Sequence, residues 1–248
     1  PTGPSGLCML PGGVLAITSN RPDNTHAMAA VRFVAARSDS NPQALAAYQA
    51  SRLATLRFTW LVGLALANDG LLAGSYRDPS AALYKFALDG SMDELAAVPA
   101  LTHYGEGFSR CAVHQETQRT YAIVGAGHHN AVVILDANLQ SVATVEFVAA
   151  AVYEPIRDVA VHGDQVIVLT SNGHPKGSEL RLLDLDGRFL RTIAADFLKP
   201  YAVTASYGRV LVVDDDDEIA PAGDDDDSDD DDDWEPGKVL HVIDIQSG

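Results

Sequence analysis

Two stretches of this chain, "GLCMLPGGVLAITSN" at 6–20 and "GLALANDGLLAGSYR" at 63–77, superimpose without a gap, and this self-similarity limits the possible folds more than any other feature. Further copies begin at 109 ("SRCAVHQETQRTYAIVGAG"), 157 ("RDVAVHGDQVIVLTSNG") and 201 ("YAVTASYGRVLVVDD"). Aligning Cys8, Ala65, Cys111, Val159 and Val203 gives spacings of 57, 46, 48 and 44 residues. Each copy reads as a short apolar strand, a tight polar turn, a second apolar strand, a variable polar loop and a third strand. The third strands are "AAVRFVAARSDS", "ALYKFALDGS", "AVVILDANLQ", "LRLLDLDGRF" and "KVLHVIDIQSG". "LDG" and "LDAN" supply turn chemistry at their ends, because Asp, Asn and Gly tolerate the positive φ that a reversal needs. Fourth strands follow in "RLATLRF", "ELAAV", "SVATVEF" and "RFLRTI", and the last copy has none.

Four antiparallel strands recurring every 45 to 50 residues or so define a blade, a sheet that cannot bury both faces alone and so leans on its neighbours. The expected fold is all-β, a single β-propeller domain over 1–248 with five recognisable four-stranded blades. Its last blade is incomplete, which leaves open a larger propeller of which this is a fragment. A β-sandwich is the alternative, and the constant strand order in five successive copies argues against it. The long first step holds an insertion, "NPQALAAYQASRL", between the third and fourth strands of the first copy. Asn41 as cap, Pro42 at the first helical position and the Ala, Leu and Gln that follow predict a short surface helix.

The formal charge of -17 is a local property. Residues 214–235 hold thirteen Asp and two Glu with no Lys or Arg, leaving 19 acidic against 17 basic residues elsewhere. No basic face for nucleic acid is evident. The acidic run lies between "RVLVVD" and "KVLHVID", in a loop between second and third strands, which puts it on the top face with the links that enter each first strand. Neighbouring carboxylates about 7 Å apart repel by roughly 0.6 kcal/mol even in water, so an extended, disordered loop over 214–237 is expected, with the flanking strands pairing as though it were absent. It reads as a solubilising insert, as a docking arm for a basic partner, or as a calcium site. A register from Asp224 sets Asp226, Ser228, Asp230, Asp232 and Glu235 at alternating ligand positions, but Asp229 stands where a calcium loop needs Gly. Ser228, flanked by acid, resembles an acidophilic kinase site.

Apolar runs such as "WLVGLALA" are too short to cross a bilayer. No signal-peptide pattern opens the sequence, and it starts with Pro1 rather than Met, so either the start was processed or the sequence is a piece of something longer. Cys8 and Cys111 sit in apolar strands and read as buried free thiols, which points to a reducing, intracellular compartment.

The stretch "RDVAVHGDQVIVLTSNG...ELRLLDLDGRFLRTI" resembles the NHL-type repeat, and the resemblance extends over the chain as five degenerate copies. Members of that group mostly bind proteins, RNA or small ligands, so the resemblance implies a non-enzymatic binding platform with a protein or small molecule on the top face. "GEGFSRCAVHQETQRTYAIV" resembles the opening of gluconolactonase and strictosidine-synthase-like propellers, in which a Glu-Gly pair before a strand supplies a metal-binding Glu. Glu106 would take that part, with calcium-dependent lactone hydrolysis as the implied activity. Phe108 replaces the family's Pro, and its metal-binding Asn and Asp have no counterpart in later blades.

On the top face, Glu106 and Glu154 are equivalent by the repeat, and Arg110, Arg157 and Asp158 start the same strands. Paired carboxylates at an axial opening can ligate a cation or act as acid and base. Equally, Glu106 can pair with Arg110, and Glu154 with Arg157 or Arg110, stitching blades together. His26, His103, His128, His129 and His174 fall in top-face loops without spacing that unites three of them, while His114 and His162 lie toward the opposite face. No Ser-His-Asp order, Cys-x-x-Cys pair or phosphate loop is present.

Overall fold

The computed structural model describes residues 4–23, 26–56, 61–75, 82–89, 91–99, 107–126, 129–148, 156–171, 178–216 and 237–245. The strands fall into five antiparallel sheets. The first contains β1 (Pro4–Leu10), β2 (Val14–Asp23) and β3 (His26–Ala35). The second runs β4 (Leu61–Ala67), β5 (Gly70–Ser75), β6 (Ala82–Phe86) and β7 (Glu94–Pro99). The third holds β8 (Phe108–His114), β9 (Arg119–Ala126), β10 (His129–Leu135) and β11 (Ser141–Val148). The fourth holds β12 (Ile156–His162), β13 (Gln165–Thr170), β14 (Ser178–Asp184) and β15 (Phe189–Phe197). The last comprises β16 (Ala202–Ser206), β17 (Arg209–Asp216) and β18 (Gly237–Asp244). Within each sheet the strands neighbour one another in chain order, and the first strands β1, β4, β8, β12 and β16 pack in succession around the axis. The protein is an all-β propeller of five blades in a ring.

The core is not one mass but four apolar layers, one per seam between consecutive blades. Val14, Ala16, Val31 and Phe33 meet Leu61, Leu64, Leu71 and Phe86. Ala65, Leu72 and Leu83 meet Phe108, Ala122, Val124 and Val133. Tyr121, Ile123, Val132 and Ile134 meet Ile156, Val159, Val166 and Val168. Ala160, Ile167, Leu169 and Leu182 meet Val203, Val210 and Val212. Strands such as β5 and β13 are apolar on both sides because each side belongs to a different layer.

These layers shift the repeat alignment by one residue. Cys8 and Ala65 pack forward onto the next blade, whereas Cys111, Val159 and Val203 pack backward. The forward-facing counterparts of Cys8 and Ala65 are Ala112 and Ala160, so Cys111 corresponds instead to Leu7 and Leu64. Strand side chains alternate between faces, so a one-residue slip moves every residue to the wrong seam.

The insertion forms α1 (Pro42–Ala50), with Pro at the start and Asn41 accepting bonds from the amides of Gln43 and Ala44. "RLATLRF" does not begin as a fourth strand. Arg52–Thr55 form a helical turn, α2, and Leu53 is buried beside Phe33 and Tyr48. The two helices pack on β3 and take the outer position in this blade, since the buried contacts of Leu53 outweigh its strand-like alternation.

Turn chemistry also differs in detail. Asp136 Oδ1 accepts from the amides of Asn138 and Gln140, and Asp184 Oδ1 from those of Asp186 and Arg188. The positive φ falls on Gly187 in the fourth blade but on Leu139, not Asn138, in the third. Burial of Leu139 in the layer between the second and third blades offsets that backbone cost.

The ladder between β17 and β18 continues through Asp214–Val239, Asp215–Lys238 and Asp216–Gly237. Pairing therefore runs three residues into the segment expected as a loop over 214–237, and the two flanking strands pair directly, as expected. The remainder, 217–236 with Ser228, lies outside the described residues.

Candidate functional site

First strands run from the top of the ring to the bottom, so Arg110, Arg157 and Asp158 stand at the top, near the axis. The position is set by close packing between first strands. A Cβ on Gly63 would lie 2.7 Å from the Ser109 carbonyl and 2.8 Å from Arg110 Cα, so β4 and β8 approach as only glycine allows. Gly6 does the same against β4. In the third and fourth blades this forward-facing position carries Arg110 and Asp158 instead.

Asp158 is buried, and its two oxygens are both engaged. Oδ1 accepts from the Val159 amide at 2.9 Å, and Oδ2 accepts from the Val203 amide on β16 at 2.9 Å. One carboxylate thus satisfies a backbone donor across the seam between the fourth and fifth blades. Burial raises its pKa, while the positive charge of Arg110 and the two amide bonds oppose that rise. Arg110 is half-buried and its charge also reaches Cys111, whose thiol is pushed up to about 12 chiefly by burial. Cys8 is raised to about 11 for the same reason, and both cysteines are free. Arg157 is half-buried beside Asp158.

The structure sets Arg110 near enough for its charge to act on Asp158, while Asp158 itself braces the seam between the fourth and fifth blades. Glu106 and Glu154, the candidate metal ligands, lie outside the described residues, as do His103, His128 and His174. Among the described residues no three His, Cys, Asp or Glu side chains lie where they could share a metal ion. His114 ends β8 at the bottom face, with Nδ1 2.7 Å from the Thr117 hydroxyl and Nε2 3.9 Å from Asp164 of the next blade. That face is also stitched by Arg119, which donates to Asp186 at 2.7 Å and to the Leu185 carbonyl, and by the Tyr121 hydroxyl, which donates to Leu185 as well.

Asp214, by sequence the first residue of the acidic arm, belongs to the framework of the fifth blade. It is buried, accepts from the amides of Leu198 and Lys199 at 3.0 and 2.7 Å, and lies 3.4 Å from His241 Nε2. The His241 ring meets Phe197 edge-on. Its strand position, continuing the alternation of Val210 and Val212, was the available signal. Asp214 therefore fixes the link from β15 to β16, and the arm proper springs from a pinned base.

No protein-family model matches the chain, and no curated protein matches it in sequence. Among solved structures it is similar to a chain of a nidogen/laminin complex, with a TM-score of 0.59 at 10% identity over 85% of this chain and 72% of that one. A Bacteroides caccae protein of unknown function gives a TM-score of 0.48 at 11% identity, over 85% of this chain and 64% of the other. Myxococcus xanthus glutaminyl cyclase gives 0.47 at 9% identity over 84% of each chain. The likeness to the nidogen/laminin chain concerns the fold alone, and it agrees with a β-propeller. No helix among the described residues is long and apolar enough to cross a membrane.

Proposed function

We propose that this propeller is a non-enzymatic binding platform of the NHL-like kind, which takes a protein or small ligand on its top face and uses the acidic arm to modulate association with a basic partner. The observation that supports this reading most is the unbroken pairing of Asp214–Asp216 with Gly237–Val239. Both roots of the arm are held in one ladder at the top end of the fifth blade, so its charge is tethered to the face where Arg110, Arg157 and Asp158 lie. A charge so placed raises the local concentration of a cationic partner and does so less as salt shortens the screening length. Asp158, with both oxygens spent on amides, acts as a positioning residue for that face.

The test is binding of a lysine-rich peptide to the full chain and to a variant lacking 217–236, across a salt series. Deletion removes twelve acidic residues and takes the formal charge from -17 to -5 while sparing the β17–β18 ladder. Affinity for the full chain should fall steeply with salt, and the variant should bind weakly with little salt dependence. Equal binding by both chains would sink the reading. Calcium-dependent hydrolysis in a lactone panel, lost on Glu106→Gln, would replace it with the enzyme reading.

A further inference from the structure

Every closed seam joins the front face of one blade to the rear face of the next. Rear-facing residues of the first strands are Leu64, Cys111, Val159 and Val203, and all pack into a seam layer. Leu64 and Val203 are 8% and 7% exposed, but their counterpart Leu7 is 60% exposed, and Met9, two residues on, 51%. Leu15 and Ile17, paired with Met9 and Leu7, and Val34, paired with Leu15, continue this rear face. None of these five residues belongs to a core layer, whereas Val14, Ala16, Val31 and Phe33 on the other side of the same sheet are buried.

The fifth blade shows the converse. Val210 and Val212, with the partly buried Ile243, pack backward onto the fourth blade. On the front, Leu211 and Val213 pair with Val242 and Leu240, which are 54% and 58% exposed. Among the described residues, β16 and β1 make no extended contact like those joining β1 to β4, β4 to β8, β8 to β12 and β12 to β16. Among the described residues, two sheet faces built as seam faces therefore have no blade packed on them, one of each kind, on either side of the same seam. Contiguous apolar surface of this sort marks an interface.

We propose that the seam between the fifth and first blades is an interface for one further antiparallel sheet of blade type, apolar on both faces and carried by the same polypeptide. The molecule's own repeat indicates the occupant, because at four seams the equivalent residues are covered by such a sheet. A second copy meets the requirement poorly. A twofold that pairs one face with itself would set front on front or rear on rear, which no seam here does, and a front-to-rear pairing between copies closes only if its rotation permits and otherwise runs on as a filament. All five blades are consecutive segments of one chain, which favours a source in the same chain.

The test begins in a Cys8→Ser, Cys111→Ser background carrying Met9→Cys and Val242→Cys. Oxidation should yield no intramolecular disulfide. In the 248-residue chain, Leu7→Asp with Met9→Asp should leave Tm within about 2 °C, whereas Leu64→Asp with Leu66→Asp, at a closed seam, should abolish cooperative unfolding. The polypeptide from its native cell should exceed 26.3 kDa by at least one repeat. It should also protect the amides of β1 and β18 from exchange better than the 248-residue chain does. Formation of the disulfide overturns the proposal, as does a native mass of 26.3 kDa. A longer native chain whose β1 and β18 exchange as fast as in the isolated 248 residues overturns it too. These outcomes are independent of the binding of a basic partner.

Discussion

Asp158 shows how a residue chosen for chemistry serves assembly. The sequence places it correctly at the top of a first strand, but the same string is compatible with a ligand, a base or a brace. Only the approach of β16 decides, by offering the Val203 amide to Oδ2. Replacing it with Ala leaves two buried amides unsatisfied and should cost roughly 2–3 kcal/mol in denaturant unfolding. Burial raises its folded pKa above the ordinary 3.8, so the stability linked to this group is complete below 3.8 and is lost as pH rises through the raised folded value. The margin of the native protein over Asp158→Asn should accordingly shrink with rising pH across that window, and a margin that grows would refute the burial argument. The thiols follow similar logic. With pKa values of about 11 and 12, Cys8 and Cys111 should react slowly with a disulfide reagent at pH 8 and quickly once the chain is unfolded.

Among elements, the α1 helix was legible because its signals are local: an Asn cap, a Pro in the first turn and helix-forming residues after them. Asn41→Ala should cost about 1 kcal/mol, measured as a lowered Tm with the β-sheet signal intact. The helical turn after it was less legible than it looked. "RLATLRF" alternates like a strand, yet Leu53 is drawn into the layer that holds Phe33, twenty residues earlier in sequence, a placement that no local pattern reveals. Register was the other loss. Matching apolar residues aligned Cys8 with Cys111, but whether a strand residue looks forward or backward depends on which blade lies there. The Gly63 contact with Arg110 and the Asp158 bond to Val203 identify the equivalent positions, and both cross a seam.

For the molecule as a whole, the described ladder reaches the two residues that bound the acidic arm, Asp216 and Gly237. The ladder closes beneath residues 217–236, so removing them should leave Tm unchanged or raise it slightly by relieving charge repulsion, as read by thermal unfolding at low salt. A marked loss of stability would mean that the arm packs on the ring.

By itself the sequence determined the number and order of repeats, the four-strand module, the capped insertion and the location of the charge. These depend on period, turn chemistry and composition, which are properties of neighbours along the chain. Tertiary structure alone decided which face each inner-strand residue presents, that Asp158 and Asp214 brace the fold, and that among the described residues one seam lacks the packing of the other four. Each of these depends on what stands across a gap between sheets, and a blade's two faces acquire their meaning only from the blades beside them.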